Sequence, residues 1–166
     1  LSQGPPFAGF MRGAGHEGGR RAGTENTAQI VALGAACELA YQELESRRKH
    51  MASMRDRLVD HLRGNFPDLV VHGEGAGRLP NTACVAIPGA DANTLLGELD
   101  GVAASAGAAC HAGGAEPSAV LTSMGVDSET SLCTLRLTTG RTTTEAEIDT
   151  AAGRISAVAE RLRGGK

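Results

Sequence analysis

Thr134-Leu135-Arg136-Leu137-Thr138-Thr139 alternates polar and apolar side chains, which is the period of a strand with one face buried. Just downstream, Thr143 or Thr144 stands where a helix N-cap belongs, and Glu145 and Glu147 put negative charge into the first turn. Ile148, Ala151, Ile155, Val158 and Leu162 then recur along one helical face. A half-buried strand followed by an amphipathic helix predicts a sheet with helices laid against its apolar side.

The same signals extend upstream. Thr82-Ala83-Cys84-Val85-Ala86-Ile87, introduced by Leu79-Pro80-Asn81 and closed by Pro88-Gly89, is a second strand, and Leu69-Val70-Val71-His72 a shorter one. Val102 to Ala106 predicts a brief strand. Asp91 caps a helix running to Leu99, and Glu116-Pro117 opens another that ends near Gly125, with proline in its first turn. From Ala28 to about Gly64, Ile30, Leu33, Ala36, Cys37, Ala40, Leu44, Met51, Met54, Leu58 and Leu62 recur at helical spacing among Glu43, Arg47 and Arg55. That pattern predicts one long amphipathic helix. Residues 1–24, rich in Gly, Pro and Arg, lack either period and form an irregular arm. Strands and helices do not alternate regularly, so the expected class is α+β, with helices packed on one face of a small, mostly antiparallel sheet.

Composition narrows the function. A chain of 166 residues with 41% hydrophobic and 21% charged residues fits one domain of ordinary size plus a leader. A net charge of -3, three Phe, the single Tyr41 and no Trp provide neither a basic footprint nor stacking platforms for nucleic acid. No apolar run is long enough to span a bilayer, and Leu1 to Pro6 lacks the character of a signal peptide, so the expected location is the cytoplasm, with no membrane partner. Four cysteines, at 37, 84, 110 and 133, are too far apart for a metal knuckle and too few for a secreted disulfide framework. Cys37, Cys84 and Cys133 fall within helix or strand patterns and are expected in the core.

Cys110 differs. It lies in Ser105-Ala106-Gly107-Ala108-Ala109-Cys110-His111-Ala112-Gly113-Gly114, among residues with almost no side chain, and is expected on a mobile, solvent-reachable loop. His111, next in the chain, is a candidate for the positive charge or proton acceptor that would favour the thiolate. No cluster of further ligands supports a zinc site there, and no metal is expected. Gly13-Ala14-Gly15-His16-Glu17-Gly18 satisfies G-x-G-x-x-G, but the residues before it do not form the buried strand that a dinucleotide fingerprint requires. Arg20-Arg21-Ala22-Gly23-Thr24-Glu25-Asn26 precedes a helix start. This suits both an anion site, because free N–H groups and the helix dipole converge there, and a simple N-cap with surface arginines. Arg136 faces away from Leu135 and Leu137, which suits both a bidentate carboxylate fork and a solvent-facing arginine.

Four segments together resemble the C-terminal part of pyridoxal-phosphate-dependent cysteine desulfurases and selenocysteine lyases, in the class-V aminotransferase family. They are Gly13-Ala14-Gly15-His16-Glu17 with Arg21-Ala22-Gly23-Thr24; Leu79-Pro80-Asn81-Thr82; Ser105 to Cys110 with Glu116-Pro117-Ser118; and Leu135 to Thr143. The resemblance runs nearly the whole length, in order and at family spacing. It implies the small C-terminal domain of a fold-type I pyridoxal 5'-phosphate enzyme: residues 1–27 as an arm left from the large cofactor domain, and 28–166 as the small domain with its linking helix.

By position, the resemblance implies that Cys110 takes the substrate's sulfur as a persulfide, that Arg136 holds the substrate α-carboxylate, and that Thr24 reaches the cofactor phosphate of the partner subunit in a homodimer. It implies L-cysteine or selenocysteine as substrate, alanine as product and a sulfur-acceptor protein such as an iron–sulfur scaffold as partner. Two features depart from the family. Gly18 follows Glu17 where relatives usually carry arginine, and neither Lys49 nor Lys166 occupies the position of the cofactor lysine, which lies upstream of the arm in this family. The sequence therefore fits both the C-terminal domain of a desulfurase, inactive by itself, and a non-catalytic sulfur-relay or dimerisation module.

Overall fold

The computed structural model describes residues 8–107, 110–111 and 114–165. The helices are α1 (Thr27–Asn65), α2 (Ala92–Glu98), α3 (Ala119–Ser123), α4 (Ser128–Leu132) and α5 (Glu145–Gly164). The strands are β1 (Val70–Val71), β2 (Thr82–Ala86), β3 (Ser105–Ala106), β4 (Cys110–His111), β5 (Gly114–Ala115) and β6 (Thr134–Thr138). By density of contacts the chain forms two compact units, Leu1–Leu44 and Glu45–Lys166, whose boundary falls inside α1.

In the second unit, β1, β2, β6 and β3 lie in that order in one sheet, and every neighbouring pair is antiparallel. The predicted α+β class is therefore observed. Leu135 and Leu137 of β6 stand across from Val85 and Ala83 of β2, and all four are buried. Onto this face pack Met54, Leu58, Val59 and Leu62 from the C-terminal half of α1, Leu95 from α2, and Ile148, Ala152, Ile155 and Ala159 from α5. Each fully buried leucine or isoleucine of this kind contributes roughly 1.5–3 kcal/mol of transfer free energy. Helix starts are fixed by side chains. Asp91 accepts from the Thr94 N–H, and Thr144 forms a capping box with Glu147, which settles the choice between Thr143 and Thr144.

Several expectations need correction. The helix expected from Glu116-Pro117 begins at Ala119, because Ser118 caps it and Pro117 lies outside, where proline disfavours helical geometry in the residue before it. Strand pairing near Val102 is confined to Ser105–Ala106. A short helix at Ser128–Leu132, capped by Asp127 through the Thr130 N–H, was not expected. Cys37, expected in the core, is exposed, Cys84 is half-buried, and only Cys133 of the three is buried.

In the first unit the arm is not wholly irregular. A single 3₁₀ turn at Glu17–Gly19 is followed by a backbone bond from the Ala22 N–H to the Met11 carbonyl at 3.2 Å. Gly18 has φ 65°, a left-handed conformation that glycine adopts without strain and arginine does not. Along the same unit, Ile30, Val31, Leu33, Leu39 and Tyr41 are exposed. None of the described helices is long and apolar enough to cross a membrane.

Candidate functional site

The second face of the sheet carries Arg136. Side chains of directly opposed residues project to the same side, and Arg136 stands opposite Cys84 on β2 and opposite Ser105 on β3. The His72 N–H donates to the Cys84 carbonyl at 2.9 Å, which extends the β1–β2 register by one residue. His72, Cys84, Arg136 and Ser105 therefore form one row across four strands. The predicted orientation of Arg136 is observed: its neighbours Leu135 and Leu137 are buried and it is exposed.

Among the described residues no carboxylate pairs with Arg136. Arg57 is held by Asp149 at 2.7 Å, Arg163 by Asp68 at 2.8 Å and Arg63 by Glu74 at 2.5 Å, whereas among the described residues Arg136 makes no side-chain hydrogen bond or ion pair. Its neighbours on this face are small and neutral: Cys84, Ser105, Thr134 and Thr138. Burial pushes the Cys84 thiol above its ordinary pKa, against the opposing pull of the Arg136 charge. The guanidinium thus meets a protonated thiol rather than an anion.

A second polar row lies alongside. The Thr134 hydroxyl donates to the Thr130 carbonyl at 2.8 Å and so uses its only proton. The 3.1 Å contact between Thr134 Oγ1 and His72 Nε2 then requires the imidazole to donate, which fixes the tautomer with the proton on Nε2. Burial holds the His72 pKa below its ordinary value. Thr134 also accepts, through its carbonyl, the Gly107 N–H at 2.7 Å. A Cβ on Gly107 would lie 2.7 Å from Thr134 Cγ2, so glycine is what permits this close approach.

Gly107 is the root of the segment that carries Cys110. The strand Cys110–His111 pairs with Gly114–Ala115, so the expected loop contains a short hairpin. Its mobility and exposure concern Ala108, Ala109, Ala112, Gly113 and the Cys110 side chain, which lie outside the described residues, as does the orientation of His111. Covalent geometry still sets a limit: three residues span at most about 11 Å, which keeps the Cys110 Cα within that distance of Gly107, two positions from the residue paired with Arg136.

In the first unit, Thr24 is exposed just before α1, and its hydroxyl has no partner among the described residues. Arg21 Nη1 donates to the Gly23 carbonyl at 3.0 Å, and Asn26 Oδ1 accepts from the Gln29 N–H at 3.2 Å, so the helix start is capped. Nδ1 of His16 is buried without a partner among the described residues. The Thr24 hydroxyl, without a partner among the described residues, is a donor of the kind that fits a phosphate oxygen. Lys49 is exposed on α1 and Lys166 lies outside the described residues, so no described side chain fits the cofactor lysine. The same residues contain no group of three or more potential metal ligands.

Comparison with known proteins decides the family. Residues 12–150 match the model of the aminotransferase class-V family. The chain belongs to that family. It is similar to the cysteine desulfurase NifS of Azotobacter vinelandii, 38% identical over 165 residues, which is 98% of this chain and 41% of that protein. It is also similar to a mouse cysteine desulfurase, 38% identical over 93% of this chain and 34% of the relative. A NifS-like protein of Rickettsia africae superposes with a TM-score of 0.74 at 25% identity, over 92% of this chain and 40% of that one. A second NifS-like structure gives 0.76 at 28% identity, over 97% and 41%. This class-V chain therefore spans between 34% and 41% of the length of such relatives, and the resemblance seen in its motifs holds at the level of sequence family and fold.

Neither His72 nor the pairing of Cys84 and Ser105 with Arg136 was recognised from the sequence. Both depend on strand register. The available signal was the second strand, whose alternation puts Cys84 opposite in phase to Ala83 and Val85.

Proposed function

We propose that this chain is the sulfur-accepting C-terminal domain of a pyridoxal-phosphate-dependent cysteine desulfurase. The observation that carries the reading is the unneutralised Arg136 at the centre of a neutral polar sheet face, with Ser105 paired to it and Cys110 a few residues farther along the same chain. The desulfurase names of the relatives support it.

Arg136 holds the α-carboxylate of L-cysteine bidentately. Thr24 donates to the phosphate of the cofactor, in the partner subunit of a homodimer. When bound, pyridoxal phosphate supplies an electron sink for bonds at the substrate's α-carbon. Cys110 acts as thiolate, the nucleophilic form of the side chain. Its sulfur bonds to the substrate's sulfur as the substrate's Cβ–S bond breaks. The electron pair of that bond remains with Cβ, which takes a proton, so the products are alanine and a persulfide on Cys110. In this reading the Cys110 thiol passes its sulfur to an acceptor protein, such as an iron–sulfur scaffold, in the cytoplasm. Selenocysteine presents the same carboxylate and Cβ geometry and is the alternative substrate.

A second reading is a non-catalytic sulfur-relay or dimerisation module that keeps Cys110 and works without the cofactor. Titrating the chain with pyridoxal phosphate and recording the absorbance of a lysine adduct separates the two. The desulfurase reading expects no band from this chain, and both a band and sulfide release from a version extended upstream. In that extended protein, Cys110→Ser is expected to abolish persulfide formation while the band persists. Sulfide release unchanged by Cys110→Ser would refute the role given to Cys110.

A further inference from the structure

Arg136 needs more than its own charge to select a carboxylate. A guanidinium on an open sheet face is available only if its neighbours neither neutralise nor cover it, and the two residues directly opposite it are a cysteine and a serine. We propose that Cys84 is the specificity-determining neighbour of Arg136, and that with Ser105 it walls a subsite for a single small carboxylate on this face of the sheet. The proposal rests on the desulfurase reading only for the identity of the ligand. The subsite itself rests on strand register and on the unneutralised guanidinium.

Three observations converge on Cys84. It is the cross-strand partner of Arg136, at the separation of about 5 Å between opposed side chains. It is half-buried, so it presents a surface to a ligand while its thiol stays protonated. The other groups around the arginine, Thr134, Thr138 and Ser105, are hydroxyls, and His72, beyond Cys84 in the row, directs its Nε2 proton to Thr134. An aspartate at position 84 would close the guanidinium as Asp149 closes Arg57. A long side chain there would cover it.

The geometry is testable without turnover, because iodoacetate carries a carboxylate and an electrophilic carbon in one small molecule. Its carboxylate docks on Arg136 and the Cys84 sulfur displaces iodide, leaving a carboxymethyl thioether, iodide and a proton. Iodoacetamide, neutral and otherwise alike, is the control, and exposed Cys37 is the internal reference. The iodoacetate-to-iodoacetamide rate ratio at Cys84, read by peptide mass spectrometry, is expected to be roughly tenfold higher than at Cys37, a local charge effect on approach. It is expected to fall to the Cys37 value in Arg136→Gln, to persist in Arg136→Lys, and to fall on addition of acetate. A ratio equal to that of Cys37, or one that survives Arg136→Gln, overturns the proposal. In an upstream-extended protein, Cys84→Asp is expected to raise KM for the amino acid about tenfold more than the isosteric Cys84→Asn, since only the former pairs with Arg136. An extended protein that releases no sulfide refutes the desulfurase reading and leaves the labelling contrast standing. A missing contrast refutes the subsite even if sulfide is released.

Discussion

Replacing Gly107 by alanine tests how tightly the Cys110 segment is fastened to the strand that carries Arg136. The added methyl would lie 2.7 Å from Thr134 Cγ2, 2.9 Å from Thr134 Cβ and 3.2 Å from the Thr134 carbonyl oxygen. Carbon atoms prefer separations of about 3.5–4.0 Å, so the overlap approaches 1 Å. Thr134 has no inexpensive way to yield. Rotating its side chain breaks the bonds to the Thr130 carbonyl and from His72, and moving the strands apart breaks the 2.7 Å bond from the Gly107 N–H. Each such bond contributes about 1 kcal/mol net, and overpacking of this kind typically costs about 1–3 kcal/mol. Gly107→Ala is therefore expected to destabilise the fold by about 1–3 kcal/mol. Thr134→Ser removes Cγ2, the nearest atom, and keeps the hydroxyl. In the Gly107→Ala background it is expected to recover about 1 kcal/mol, read as a coupling energy in a double-mutant cycle. With one Tyr and no Trp, urea unfolding is best followed by far-ultraviolet circular dichroism. A cost below about 0.5 kcal/mol, or strictly additive mutants, would mean that the segment is not anchored at Thr134.

Two further outcomes follow from the same neighbourhood and from α5. Burial holds His72 below its ordinary pKa, so as the pH falls through about 6.5 the unfolded chain takes up a proton before the folded one. The stability contributed by neutral His72 is full above that pH and is lost below it. The urea midpoint is expected to drop between about pH 7.5 and pH 5.5, and His72→Gln to flatten the drop; an unchanged pH slope in that variant would contradict the assignment. Asp149, lowered by its bond from Arg57, and Glu74, lowered by its bond from Arg63, titrate below that window. Thr144→Ala removes the capping box at the start of α5 and is expected to cost about 1 kcal/mol in the same unfolding assay.

What the sequence disclosed and what it hid divide along a physical line. Patterns set by local periodicity were legible: the alternation of β6, the cap and apolar face of α5, and the length of α1 all appear as expected. Features decided by competition over a few residues were not. Ser128–Leu132 is a five-residue helix with one buried side chain, too short for a helical period to register, although Asp127 three residues before Thr130 was a usable cap signal. Cys37 lies on an apolar stripe of α1, yet periodicity identifies a face without saying what covers it. In the described structure that stretch of the helix is exposed.

The site shows the same limit more sharply. The phase of Arg136 is a local property of β6, and alternation sufficed to turn it away from the core. Its neighbours are a non-local property: Cys84 lies 52 positions earlier and Ser105 lies 31 earlier, and their juxtaposition follows from two antiparallel registers. A one-residue slip of β2 would replace Cys84 by Ala83 or Val85 beside the guanidinium and bury the thiol among the helices. Burial of Ala83 and Val85 against Leu137 and Leu135 prevents that slip. The apolar face of the sheet thus fixes what stands next to Arg136 on the polar face. Substitutions that loosen the core at Val85 or Leu135 should therefore lower the carboxylate preference at Cys84 even though neither side chain touches the ligand.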